Sequence, residues 1–249
     1  MTDLSPLDWT LLALGALIVG FSKTGIAGIG ALAVAVFANV LPARESTGVV
    51  LPMLILADFV AVGTLHRHAV WTHLWRLFPF AALGIVAGWL AMKHLDAAEI
   101  RVGIGGVLLA MVALHLRRQR REKEAAERPS PAHSLRDAAG MGLLAGFTTM
   151  LANAAGPIMV LYLLAMRLPK LEFMGTGAWY FCILNLFKVP FSWNLGLINP
   201  MTLKINLYLA PVILLGAFGG RALLPRIPQK IFERLALVLT AIAALRLLV

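Results

Sequence analysis

The stretch GFSKTGIAGIG, residues 20–30, interrupts an apolar run that extends from residue 9 to residue 40. A helix crosses a bilayer with about 20 apolar residues, so this run is too long for one comfortable span. Placing the charge of Lys23 against lipid costs much free energy, and clustered glycines are poor helix formers. We therefore predict two helical legs, residues 9–21 and 26–40, joined by an unwound turn that is enclosed by protein.

A second interruption of the same kind, GFTTMLANAAG, occupies residues 146–156. It lies half a chain after the first. Two broken apolar segments in corresponding positions are typical of the binding site of a secondary transporter.

Composition assigns the chain to the membrane. Of its 249 residues, 60% are hydrophobic, and several apolar runs are as long as a full span. The net charge of +10 comes mostly from loops between these runs. This is the pattern of the positive-inside rule, and we therefore do not expect a nucleic acid as a partner.

The second half of the chain repeats the landmarks of the first in the same order. The matching pairs are Gly20/Gly146, Pro42/Pro169, Glu45/Glu172, Gly48/Gly175, Asp58/Asn185, Gly84/Gly216 and Gly88/Gly220. Apolar spans are expected at residues 46–65, 73–92 and 100–116. We divide the chain into a first transmembrane repeat at 1–116, a basic linker at 117–136 and a second transmembrane repeat at 137–249.

The arginines predict the orientation of the repeats. With the linker in the cytoplasm, an inverted second repeat also places Arg67, Arg167, Lys170 and Arg221 inside, whereas a parallel one moves most of them outside. We therefore predict an all-α integral membrane protein of two inverted repeats. Each repeat is a broken, re-entrant helical hairpin followed by three transmembrane helices. The prediction is about eight spans together with the broken segments, with both termini outside.

The two hairpin tips carry the residues we expect to bind substrate. The first tip offers Ser22, Lys23, Thr24 and Gly25, and the second offers Thr148, Thr149, Asn153 and Gly156. Lys23 would attract an anion, assisted by the N–H groups at the start of the following leg, from about Gly25. Alternatively, Lys23 pairs with Asp58 or extends to a membrane surface. Asn153 either donates a hydrogen bond to an oxyanion or caps the second leg.

Asp58 and Asn185 occupy equivalent positions, and Lys188 follows Asn185 by one helical turn. These three residues form a structural charge pair or couple transport to a proton or another ion. Glu45 and Glu172 begin the helices after the hairpins, where a carboxylate complements the helix dipole.

Nothing in the sequence indicates an enzyme. Ser22 has no histidine within an apolar span to activate it. His66, His68 and His73 lie at a membrane boundary without cysteine or carboxylate ligands in suitable spacing, so we expect no metal site there. No cofactor is expected.

Four stretches carry a resemblance to the sulfite exporter TauE/SafE family of membrane permeases. They are GFSKTGIAGIGALAV at 20–34, LPMLILADFVAV at 51–62, TTMLANAAGPIMVLYLLA at 148–165 and FCILNLFKVPF at 181–191. The resemblance implies a multi-pass transporter of the inner (plasma) membrane that moves small sulfur-containing anions such as sulfite or organosulfonates, usually outward. Where the family often has paired glycines at the end of the first motif, this chain has Gly30 followed by Ala31.

Together these observations predict a permease whose hairpin tips meet near the midplane and whose halves move to alternate access. Its partners would be a small anionic substrate and the lipid bilayer. The sequence is also compatible with a homodimer. Two rival functions are also open. One is a proton- or cation-coupled carrier of another small solute, and the other is a non-transporting scaffold or sensor that uses the linker.

Overall fold

The computed structural model describes residues 4–94 and 135–246, and these residues form α-helices without any β-strand. We number the helices α1 (Pro6–Thr24), α2 (Gly30–Val40), α3 (Ala43–Leu65), α4 (Trp71–Ala91), α5 (Leu135–Ala152), α6 (Ala155–Ala165), α7 (Lys170–Asn194), α8 (Pro200–Leu223) and α9 (Gln229–Arg246). The expected span at 100–116 and all of the linker except its last two residues lie outside the described residues.

The first broken segment folds back on itself. Helix α1 begins with a capping box between Ser5 and Asp8, and it ends at Thr24. A Cβ atom on Gly15 of α1 would lie 2.7 Å from the ring of Phe37 in α2, so the two helices are antiparallel neighbours. The chain turns between them at Gly28, whose φ of 95° favours glycine.

The predicted bounds of the two legs are partly wrong. Helix α1 continues three residues beyond the predicted end at residue 21, and α2 begins only at Gly30. The polar residues in the interruption do not break the helix, because the Thr24 hydroxyl donates to the carbonyl oxygen of Ala217 and Lys23 has an ionic partner. The glycine-rich part, residues 25–29, is the unwound part.

The helices that follow the breaks agree with the sequence. Helix α3 covers the predicted span at 46–65, and α4 covers the one at 73–92 except for its last residue. Glu45 and Glu172 lie in the first turns of α3 and α7 as predicted. Within the part of the chain that the structure describes, four helical segments are long and apolar enough to cross a membrane: Pro6–Thr24, Glu45–His68, Trp71–Ala91 and Pro200–Arg226.

Large apolar side chains cover the outside of the described helices. Trp75, Leu83, Leu207, Leu215 and Phe218 are each more than half exposed. A water-soluble monomer rarely exposes apolar side chains on this scale, whereas lipid tails accept them. The outer surface therefore suits a bilayer.

Glycines allow two close helix crossings that mirror each other. A Cβ atom on Gly20 of α1 would lie 2.0 Å from the carbonyl oxygen of Ile213 in α8, and one on Gly146 of α5 would lie 1.9 Å from that of Ala81 in α4. Gly20 and Gly146 occupy equivalent positions in the predicted repeat, and so do α4 and α8. The fourth helix of each half of the chain thus packs against the first helix of the other half.

The described helices enclose two separate apolar cores. One core is formed by α1, α2, α3 and α8, which we call the first bundle. The other is formed mainly by α4, α5, α6, α7 and α9, which we call the second bundle. Since α8 comes from the second half of the chain and α4 from the first, the two halves exchange one helix.

Candidate functional site

A pocket lies between the two broken segments. Its empty volume is about 780 Å³, including the part that opens to solvent. Residues of both segments line it: Ser22, Lys23, Gly28 and Gly30 from the first, and Thr149, Asn153, Gly156 and Pro157 from the second. The structure therefore brings stretches that are half a chain apart to one cavity between the bundles.

The pocket combines a polar end with an apolar wall. Helix α7 contributes Phe173, Met174 and Phe181 to the wall, and Val160 and Leu163 of α6 continue it. The polar end carries Lys23 and the side-chain amides of the pocket. A ligand with one charged group fits this distribution better than a fully hydrated ion does.

Lys23 lies in the last turn of α1, where the negative end of the helix dipole favours a cation. Its Nζ is 2.8 Å from Oδ1 of Asp58, and its side chain is 10% exposed. The same Nζ lies 4.2 Å from the centroid of the Phe181 ring. Lys23 therefore pairs with Asp58, as one alternative from the sequence predicted, and it also borders the pocket, while anion binding by Lys23 stays a prediction.

Asp58 joins the two halves of the chain. Its Oδ2 accepts a hydrogen bond of 2.7 Å from Nδ2 of Asn185, and its side chain is fully buried. Asp58 on α3 and Asn185 on α7 occupy equivalent positions in the predicted repeat, so two matching positions are in contact where the bundles meet. Each carboxylate oxygen of Asp58 has one partner, one charged and one neutral.

Lys188 does not form the charge pair with Asp58 that was one interpretation of the sequence. It is fully buried, and its Nζ donates to the carbonyl oxygen of Thr149 at 2.8 Å and to Oδ1 of Asn153. The hydroxyl oxygen of Thr149 lies at 3.4 Å. Asp58 on α3 pairs with Lys23 and not with Lys188, which instead donates to oxygens at the end of α5.

Asn153 does not cap the second leg, so this alternative is wrong. The residue before α6 is Ala154, and no side chain caps that helix. Asn153 has a left-handed φ of 53°, which asparagine tolerates better than most residues, and it follows the last residue of α5. Its Nδ2 donates to the carbonyl oxygen of Thr47 in α3 at 3.1 Å.

Several of the predicted ligands use their polar groups elsewhere. Thr24 and Thr148 are buried outside the pocket lining, and their hydroxyls donate to carbonyl oxygens of α8 and α5, respectively. Gly25 lies against α8, where a Cβ atom would be 2.9 Å from the Cα of Gly220. Ser22 lines the pocket, but its hydroxyl donates to a carbonyl oxygen of its own helix.

The buried charges do not balance. Lys23 and Lys188 bring two ammonium groups to the region between the breaks, and Asp58 is the only buried carboxylate among residues 4–94 and 138–246. Protonated, the two lysines leave one positive charge without a counter-ion. Two short helices, α2 and α6, also begin at the pocket, and helix starts favour anions. The arrangement suits the binding of an anion.

Sequence reasoning missed Phe181, although a signal was present. Phe181, Asn185 and Lys188 are spaced i, i+4 and i+7, so they share one face of α7. Two of them were already singled out. The third residue of the same face is the aromatic ring beneath Lys23.

The histidines contribute no cluster of ligands. Across the described ranges, no three His, Cys, Asp or Glu side chains are grouped so that they could hold a metal ion. Nδ1 of His73 lies 3.0 Å from the Tyr162 hydroxyl, which joins the start of α4 to α6.

The long apolar helices indicate a membrane protein, and a pocket between two broken helices is typical of the transporter class. A family model described as Sulfite exporter TauE/SafE matches residues 12–247, nearly the whole chain, and the chain belongs to this family of membrane permeases. No curated protein and no solved structure was found to match it.

Proposed function

We propose that this chain is a multi-pass permease of the inner membrane that exports a small sulfur-containing anion, sulfite or an organosulfonate, through the pocket between the two breaks. The position of two lysines, Lys23 and Lys188, beside the single carboxylate of Asp58 is the observation that carries this proposal. Burying an unpaired charge is costly, so a bound anion stabilises the cluster.

The anion would lie beside Lys23. One N–H of that ammonium is directed to Asp58, which leaves the other donors for a ligand. The Thr149 hydroxyl oxygen lies within reach of Lys188 as an acceptor, so its own hydrogen can turn to the pocket. Ser22 would contribute shape alone, because its hydroxyl hydrogen is already donated within α1.

Both oxygens of Asp58 already have partners, which favours the anion permease over a carrier in which Asp58 binds the transported cation. The apolar wall formed by Phe173, Met174 and Phe181 would receive the organic part of a sulfonate. Transport involves no covalent step, so no chemistry is asked of these side chains.

Alternating access would come from movement between the two bundles. Two features support this: the pocket lies between the bundles, and the matching glycine contacts of α1 with α8 and of α5 with α4 follow the sequence repeat. A repeat whose second copy is inverted lets one bundle adopt the arrangement of the other when the pocket opens to the opposite side.

Sulfite flux from loaded proteoliposomes tests the proposal. Lys23→Met should reduce flux by about 10- to 100-fold, because a hydrogen bond to a charged group is worth about 1.5–3 kcal/mol. Lys93→Met is the matched control, since Nζ of Lys93 also lies over an aromatic ring, 3.8 Å from the Trp89 centroid, but outside the pocket lining.

The control should transport as the unmodified protein does. Absence of anion flux in the unmodified protein would overturn the proposal in favour of a scaffold or sensor. Equal flux in Lys23→Met and Lys93→Met would remove Lys23 from the site.

A further inference from the structure

The end of α5 gathers three oxygen atoms around one buried cation. They are the carbonyl oxygen of Thr149 at 2.8 Å, the hydroxyl oxygen of Thr149 at 3.4 Å, and Oδ1 of Asn153. The cation is the ammonium group of Lys188, which comes from α7 and is fully buried. We propose that these oxygens form a site for a monovalent alkali cation such as Na⁺, and that Lys188 occupies this site permanently.

The chemistry of the three oxygens suits a monovalent cation. A carbonyl at the C-terminal end of a half-helix, a hydroxyl and an amide oxygen are neutral, hard ligands, and broken helices of transporters coordinate Na⁺ with carbonyls of this kind. No carboxylate is among the three, so a divalent ion would lack charge compensation. An ammonium group meets the same oxygens with three N–H donors.

The site is held in position by groups other than the cation. Asn153 has a left-handed backbone, and its Nδ2 donates to the carbonyl oxygen of Thr47 in α3 at 3.1 Å. This bond directs the amide oxygen towards Lys188. The oxygens are therefore arranged by α3 and by the end of α5, and the lysine enters from a third helix.

A tethered cation has a functional consequence. An alkali ion that dissociates and rebinds can couple its own gradient to the movement of a broken helix, whereas Lys188 remains on α7. We therefore infer that the second break of this chain needs no Na⁺, and that anion movement through the pocket is not driven by a Na⁺ gradient at this site. This step rests on the proposed transport function, but the site itself does not.

The test uses the melting temperature of the full-length purified protein, without any transported anion, in choline chloride and in NaCl. The unmodified protein should melt at the same temperature in both salts. Lys188→Ala opens space beside the three oxygens, so its melting temperature should fall in choline chloride. It should rise again saturably with Na⁺, by about 4–8 °C at roughly 30 times Kd.

Lys188→Met is the matched control, because it removes the charge and fills most of the space. Its melting temperature should fall and should not respond to Na⁺. Adding Asn153→Ala to Lys188→Ala removes one of the three oxygens and should abolish the response to Na⁺.

The proposal is overturned if the unmodified protein is stabilised saturably by Na⁺, or if Lys188→Ala responds no more than Lys188→Met. Failure of Lys188→Ala to survive purification in NaCl would also overturn it, because Na⁺ is expected to restore that site. None of these readouts involves flux, so failure here and failure of the transport proposal are distinguishable.

Discussion

The two breaks of this protein each receive one ammonium group, but from different places. At the first break the lysine is Lys23, part of the broken helix itself, with Asp58 as its partner and the pocket beside it. At the second break the equivalent position is Thr149, and the ammonium comes from Lys188 on α7. The same charge is therefore supplied once by the broken helix and once by its neighbour.

The two lysines therefore have different roles: Lys23 is a candidate ligand for the anion, whereas Lys188 holds the end of α5 in position. Lys23 shares its charge with a carboxylate and retains donors next to the cavity, whereas Lys188 donates only to oxygens of the α5 end and is fully buried. Because a neutral set of oxygens holds Lys188, its positive charge still adds to the potential that an anion meets. In the proposed anion site, Lys23 at the first break would contact the anion, and Lys188 at the second break would contribute positive electrostatic potential.

The largest expected effect follows from removing the carboxylate at the first break. Asp58→Asn leaves the Lys23 ammonium mostly buried without its ionic partner and should reduce the free energy of unfolding by about 3–5 kcal/mol. Thermal unfolding of the purified protein measures this loss. Adding Lys23→Met to Asp58→Asn should recover most of it, because the ammonium group that lost its ionic partner is then removed as well.

Measuring the same variants in the presence of sulfite tests the role of Lys23 more specifically. If the anion binds beside Lys23, it should stabilise Asp58→Asn more than it stabilises the double variant. A double variant that is no more stable than Asp58→Asn would show that Asp58 acts through Asn185 and not through Lys23.

A smaller effect is expected from Asn153 at the second break. Asn153→Ala removes the hydrogen bonds to Lys188 and Thr47 and places alanine at a left-handed φ of 53°, so stability should fall by about 2–4 kcal/mol. Asn153→Gly loses the same bonds but adopts this backbone freely and should be about 1 kcal/mol more stable than Asn153→Ala.

Chemical denaturation of the two variants measures the difference. Equal stability of Asn153→Ala and Asn153→Gly would mean that the side-chain bonds, and not the backbone conformation, account for asparagine at this position.

The sequence predicted where the helices are interrupted, but not which residues contact the polar groups at each interruption. Repeated glycines and polar residues in an apolar run are local features, and they located both breaks and the repeat pair of Asp58 and Asn185. Which neighbour Lys188 reaches depends on how α7 packs against α5, and helical spacing carries no information about that packing. The spacing related Lys188 only to Asn185 on its own helix, and Asp58 pairs with Lys23, as one of the alternatives for Lys23 predicted.

The bounds of the first break show the same limit. Serine, lysine and threonine in an apolar run predict a helix end at about residue 21, because each is unfavourable in lipid. Helix α1 continues to Thr24 because Ala217 and Asp58, both distant in sequence, satisfy these groups. Tertiary partners thus override a local signal, and a single sequence does not reveal them.

The smallest expected effect concerns the starts of the two short helices. Nothing lies within 4 Å of a Cβ atom placed on Gly156 of α6, whereas one on Gly30 of α2 would lie 2.9 Å from the Ser22 Oγ. Gly156→Ala should therefore leave stability unchanged or raise it by about 0.5–1 kcal/mol, since alanine favours a helix. Gly30→Ala should lower stability by about 1 kcal/mol through overpacking.

Gly156 lines the pocket, so its added methyl group should weaken sulfite transport at low substrate concentration in the absence of any stability loss. Thermal unfolding together with the substrate dependence of proteoliposome flux measures both quantities. Unchanged flux in Gly156→Ala would place the anion away from the start of α6 and leave the first break as its main contact.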